Sequence, residues 1–256
     1  MNSIQSILTL SLLGTREWIR LKFFNIVIFM SLIFIGFSYL LSTLTFSVQE
    51  RLLFDFGLAG LEIGLLFISA MIGSYAIHRE MDRKTLFVLL IRPIPRWNLI
   101  IGFFGAIVIL SLIFSIGFSF SLLVASNNWA LVHAFIISVF SSFMKSLVIS
   151  SFALAMGLLV RPILSLVMTF CYWVLCYSMP DIQYFVKKIN SESLNKILEI
   201  ADFITPQFYR MNWKSYYYIT NPPLLSELGW VVFYCLGWTF FWLFVAAFVF
   251  RRKEIV

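Results

Sequence analysis

Residues 99–125 read LIIGFFGAIVILSLIFSIGFSFSLLVA, a stretch without one charged side chain. At about 1.5 Å per residue, a helix of this length outruns the roughly 30 Å hydrocarbon core of a bilayer. Five further runs of the same character lie at about 24–46, 57–77, 131–160, 162–180 and 227–250. The whole chain of 256 residues is 61% hydrophobic and 12% charged, with mean hydropathy +0.94. An ordinary soluble domain is roughly 45–50% apolar and about 25% charged. A globule this small has no interior large enough to hide that much apolar surface. The composition therefore excludes a soluble enzyme, a disordered tail, a disulfide scaffold and a DNA-binding domain. It predicts an all-α polytopic membrane protein with six transmembrane helices, forming a single transmembrane domain over 1–256. The first run is too long for a signal-peptide core of about 7–15 residues, and no small-x-small cleavage site follows it.

Six spans place both termini on one side of the membrane. Arg16, Arg20 and Lys22 precede the first span; Arg79, Arg83, Lys84, Arg92 and Arg96 lie between the second and third. Arg161 sits between the fourth and fifth, and Arg251, Arg252 and Lys253 close the chain. That face holds 12 of the 19 basic residues. The opposite face has Arg51, Lys187, Lys188, Lys196, Arg210 and Lys214, offset by acids that include Asp181, Glu192, Glu199 and Asp202. The positive-inside rule assigns both termini to the cytoplasm, which fits a bacterial cytoplasmic (inner) membrane. The overall charge of +7 is thus a topology signal and not a nucleic-acid surface, because the basic residues alternate with hydrophobic blocks.

Two segments between the spans carry patterns of their own. In 1–22, Ile4, Ile7, Leu8, Leu12, Trp18 and Ile19 recur at helical spacing, which predicts an N-terminal amphipathic helix in the membrane interface. In the outer segment 181–226, Leu194, Ile197, Leu198 and Ala201 mark a short extracytoplasmic helix between spans five and six, which Pro206 ends. There follow Phe208, Tyr209, Arg210, Met211, Asn212, Trp213, Lys214 and Tyr216 to Tyr218. Aromatics interleaved with cations serve single-stranded nucleic acids in some proteins; on the outer face of a membrane protein they read as an interfacial belt.

The chain has no phosphate-binding loop of the G-x-x-x-x-G-K-[ST] type, no H-E-x-x-H and no cysteine spacing that suits a metal. His78 and His133 fall near opposite ends of the spans. No catalytic set, no metal site and no cofactor are expected in this chain. The informative segment is 78–97, which reads HREMDRKTLFVLLIRPIPRW. Leu86, Leu89 and Leu90 share one helical face, and Pro93 ends the helix. An apolar helix held at the water side must bury that face on the bilayer or in a groove of a cytoplasmic partner.

The pattern E-x-x-x-x-T-L-x-x-L-L-x-x-P-x-x-R-W, carried by Glu80, Thr85, Leu86, Leu89, Leu90, Pro93, Arg96 and Trp97, resembles the permease subunits of ABC-2 type transporters. Gly102 and the layout of amphipathic helix, six spans and long last outer loop add to the likeness. Within the family it is most similar to the branch associated with multicopper-enzyme maturation, the nitrous-oxide-reductase accessory permeases. Lys84 and Phe103 stand where the family often has Gly and Lys. The resemblance implies that 78–97 is the coupling loop, with Glu80, Thr85, Leu86, Leu89, Leu90, Arg92, Pro93 and Arg96 against a separate ABC ATPase subunit. It implies a dimer of permeases, ATP and Mg on the partner ATPase, and either export or force passed to an extracytoplasmic protein.

Two ionisable residues fall inside spans. Such groups are costly in lipid and point to a function by default. Lys145 is near the middle of the fourth run, on a stripe of Ser138, Ser142, Lys145 or Ser146, Ile149 or Ser150, Ala153 and Gly157 that predicts a side facing protein or a cavity. Its role is either functional or that of a structural ion pair. Glu62 lies about five residues into its span, shallow enough to reach water, and reads as structural. Their unequal depth argues against a two-residue ion relay, as does the absence of paired broken helices. A stand-alone assembly factor or an ion-coupled carrier is the alternative reading.

Overall fold

The computed structural model describes residues 3–20, 22–44, 49–82, 96–126, 131–189, 198, 201–202 and 205–252. The long helices are α1 (Ser3–Ile19), α2 (Lys22–Leu44), α3 (Gln49–Asp82), α4 (Arg96–Ser126), α5 (Val132–Leu159) and α6 (Pro162–Ile189). A 3-10 turn at Phe208–Met211 and the short α7 (Tyr216–Thr220) lead into α8 (Leu225–Arg252). There is no strand among the described residues.

Five of these helices are long and apolar enough to cross a membrane: Glu50–Met81, Trp97–Ser126, Val132–Leu159, Pro162–Val186 and Leu225–Arg252. They coincide with the second to sixth predicted runs. The first run falls on α2, a helix of 23 residues. The helices overshoot the apolar runs, because intrahelical hydrogen bonds continue to satisfy the backbone past the last apolar turn. Thus α3 starts eight residues before the predicted boundary at 57, and α6 continues through Pro180 to Ile189. Residues 181–189, expected in the outer loop, are therefore helical.

At the centre, α5 packs against α3, α4, α6 and α8. Its predicted stripe is the buried side: Ser138, Ser142, Lys145, Ser146, Ser150, Ala153 and Gly157 all lie inside. The serines need no distant partners. Ser138, Ser142, Ser146 and Ser150 donate to the carbonyls of Ala134, Ser138, Phe143 and Leu147, on the preceding turn. Small side chains with internally bonded hydroxyls let helices approach without stranding polar atoms. The backbones of α3 and α5 come close together. A Cβ on Gly157 would lie 2.9 Å from the Ser74 carbonyl oxygen, and one on Gly73 would lie 2.6 Å from Ala153 Cβ. Nearby, Ser165 at the start of α6 donates to Ser74 Oγ at 3.0 Å.

Within the N-terminal segment Ser3–Ile19 is helical, and it lies along the first half of α4. Gly102 and Gly105 meet Leu10 and Ser11, and Gly14 meets Ala106. Leu8, Leu12, Leu13 and Ile19 remain exposed. The end of α1 is held to the end of α3: Arg79 Nη2 is 2.8 Å from Glu17 Oε1, and its guanidinium sits 5.0 Å from the Trp18 ring centre. At this same end α4 begins and α8 finishes, with Trp97 against Phe244. Leu198, Ala201 and Asp202 are helical; the remainder of the helix expected around 194–201 lies outside the described residues.

Candidate functional site

The two intramembrane charges are one site. Lys145 Nζ on α5 is 2.8 Å from Glu62 Oε1 on α3, with both side chains almost wholly buried, at 2% and 4% exposure. The second carboxylate oxygen faces Lys214 Nζ at 3.1 Å. Tyr177 on α6 joins them. Its hydroxyl donates to Glu62 Oε1 and accepts from Lys145 Nζ. Its ring lies beside both ammonium groups, at 5.1 Å from Lys145 Nζ and 5.4 Å from Lys214 Nζ. One carboxylate thus serves two cations, and an aromatic face spreads the remaining positive charge. Isolated charges in such a place would be prohibitively costly; paired and hydrogen-bonded, they are tolerated.

This geometry corrects two expectations. Glu62 does not reach water, because α6 and the segment after the 3-10 turn cover it. Nor do Glu62 and Lys145 lie at different depths: α3 and α5 run side by side with their charges in register. Unequal depth therefore does not separate the two groups as members of a relay.

Lys214 enters the bundle because its neighbours do. Phe208, Met211 and Trp213 are buried among α5, α6 and α8. Ser141 Oγ donates to the Met211 carbonyl at 2.7 Å, Met211 Sδ lies 3.5 Å from Cys235 Sγ, and the Gln207 backbone N–H donates to Tyr234 at 3.0 Å. The predicted aromatic belt is therefore split. Residues 208–214 form an inserted plug, whereas Tyr217 and Tyr218 remain on the surface. The alternation of large apolar residues with polar ones at 208, 211 and 213 was the available signal. Tyr177 had no distinguishing sequence signal, being one polar tip within an apolar helix.

Of the residues expected to meet an ATPase, Glu80 lies in the last turn of α3 and Arg96 opens α4. Thr85, Leu86, Leu89, Leu90, Arg92 and Pro93 lie outside the described residues. One residue before Glu80, Arg79 pairs with Glu17 and so holds the end of α1. Glu80 is remote from the buried cluster: Glu62 and Glu80 lie 18 positions apart on one helix, about 27 Å along its axis.

Residues 61–255 match the family model described as ABC-2 family transporter protein. The chain belongs to the ABC-2 transporter family. The match starts one residue before Glu62 and includes α4, α5, α6 and α8, while α1 and α2 precede it. No curated protein sequence matches the chain. Family membership together with the apolar helices makes this ABC-2 chain a multi-pass membrane protein and the permease of an ABC transporter. It also implies an ABC ATPase as partner in general terms.

Proposed function

We propose that the chain is the membrane half of an ABC-2-type exporter, pairing with a second copy of itself and driven by a separately encoded ATPase that binds ATP and Mg. The observation that carries this reading is the family match over 61–255 in a chain without a phosphate-binding loop of its own. In this reading α2 is the first of six spans, α1 rides in the cytoplasmic headgroup layer, and both termini face the cytoplasm of a bacterial cell. The 78–97 loop is the coupling element, with Leu86, Leu89 and Leu90 seated in an apolar cleft of the ATPase between Glu80 and Arg96. The contact of Arg79, in the last turns of α3, with Glu17 of α1 at the basic end of the bundle supports this.

The likeness to the copper-enzyme maturation branch adds a finer reading: movement is passed to an extracytoplasmic protein. The plug at 208–214 supports it, because displacement of α5, α6 or α8 would carry the outer segment along. ATP binding would draw the ATPase subunits together, pull on 78–97 and tilt α3 and α4 against the rest.

Burial of a Leu side chain contributes about 1.5–3 kcal/mol. Leu89→Asp replaces that with a charge in an apolar cleft, so co-purification of the ATPase should fall by about tenfold or more. Insertion of the permease should be unchanged, since position 89 lies outside the spans. Full retention of ATPase binding and ATP turnover by the variant would remove the loop as the coupling element. Failure of any ATPase to co-purify with the native chain would favour a stand-alone membrane protein.

Topology has its own test. In a cysteine-free background, Lys84→Cys should resist an impermeant maleimide on intact cells and react after permeabilisation. Labelling from outside would invert the orientation.

A further inference from the structure

A cavity of about 740 Å³ opens along α8, lined by Phe233, Tyr234, Gly237, Trp238, Phe241 and Trp242, with Asp202 and Gln207 at one end. The volume is in the range of pockets that take drug-sized ligands. The lining is polarised. Asp202, Gln207 and the Tyr234 hydroxyl cluster where the chain enters the plug, held by Gln207 Nε2 donating to Asp202 Oδ2 at 3.1 Å and the Gln207 backbone donating to Tyr234 at 3.0 Å. From there the groove runs along α8 to Trp242, about 12 Å of helix lined by aromatic rings. Phe233 and Phe241 are exposed, so the groove opens on the flank of the bundle.

Two features specify the occupant. Among the described lining residues the Asp202 carboxylate is the single charge, and none of them is Lys or Arg. Its Oδ1 is buried and has no hydrogen-bond partner among the described residues. A carboxylate oxygen with no partner among the described residues, next to electron-rich ring faces, favours a cation, and the aromatic walls favour one with an apolar body. Gly237 supplies the room: a Cβ there would meet nothing within 4 Å. We propose that this groove is a binding site for a lipophilic organic cation, entering from the membrane with its positive charge toward Asp202 and its apolar groups against Trp238, Phe241 and Trp242. The proposal requires that the chain spans a membrane and is independent of the coupling loop and the ATPase.

The test uses the full-length permease alone in lipid nanodiscs, titrated with radiolabelled tetraphenylphosphonium, with empty discs correcting for partition into lipid. Tetraphenylborate, of nearly the same shape and opposite charge, is the control. The native chain should bind the phosphonium saturably and the borate not at all. Asp202→Asn should weaken phosphonium binding by about tenfold. Gly237→Phe fills the groove from a position with no neighbour to displace, and should abolish saturable binding while the protein remains monodisperse. Absence of saturable binding to the native chain, as when a second copy or a lipid chain occupies the groove, would overturn the proposal. So would equal binding of both ions, or undiminished binding by Asp202→Asn or Gly237→Phe. None of these results bears on whether an ATPase co-purifies.

Discussion

Replacing Glu62 by Gln will destabilise the folded bundle more than any other single change in the buried cluster, by about 3–5 kcal/mol. The reason is the ratio of charges. Glu62 is the only carboxylate within reach of Lys145 and Lys214 in the described cluster, so its neutralisation strands a lysine that is almost wholly buried. Lys145→Met is milder, because Lys214 still faces the carboxylate. Lys214→Met is milder again, since that side chain is 29% exposed and its lost pair is partly screened by water. The expected order of thermal unfolding midpoints in detergent is therefore native, Lys214→Met, Lys145→Met, Glu62→Gln. Glu62→Leu combined with Lys145→Met should recover much of the loss, because an apolar pair of similar size leaves only the more accessible Lys214 without its carboxylate. An unfolding midpoint for Glu62→Gln equal to that of the native chain would show that the cluster carries no stability.

The second large effect concerns the α3–α5 seam. Gly157→Ala places a methyl group 2.9 Å from the Ser74 carbonyl oxygen and 3.2 Å from that of Gly73. Both obstacles are backbone, so relief requires the two helices to separate along their whole contact. Overpacking of this kind costs about 1–3 kcal/mol for a small group, and Gly157→Leu should exceed that. Gly117→Ala provides the comparison, since a Cβ there meets nothing within 4 Å. It should be neutral or slightly stabilising, because Ala is the better helix former. Purified yield and melting temperature of the three variants should separate 157 from 117; equal behaviour would contradict the seam described here.

The helices were legible in the sequence because lipid imposes a simple rule: a run of about 20 apolar residues has few alternatives to a spanning helix. The buried side of α5 was legible too, since small and hydroxyl-bearing residues recur at helical spacing from Ser138 to Gly157. The partnership of Glu62 with Lys145 was not. Each was recognised as unusual, but no spacing within one sequence relates position 62 to position 145, and the depth estimate for Glu62 assumed water where Tyr177 and Lys214 stand. The plug is illegible in the sequence for a related reason. Phe208, Met211 and Trp213 look alike whether they face headgroups or a crevice between helices, and only the tertiary arrangement chooses. The coupling residues were reached by resemblance, and most of them lie outside the described structure.

The clasp between Arg79, Glu17 and Trp18 has a mechanical consequence. It makes α1 an outrigger of α3: whatever tilts the inner end of α3 must also drag a helix whose exposed leucines, in the proposed orientation, are embedded in the headgroup layer. In that reading lipid would act as a brake on the stroke. The permease would feel the viscosity and headgroup spacing of its own leaflet, and cutting the clasp would leave α1 held mainly by α4, through Gly102, Gly105 and Ala106, so that the drag would no longer fall directly on α3.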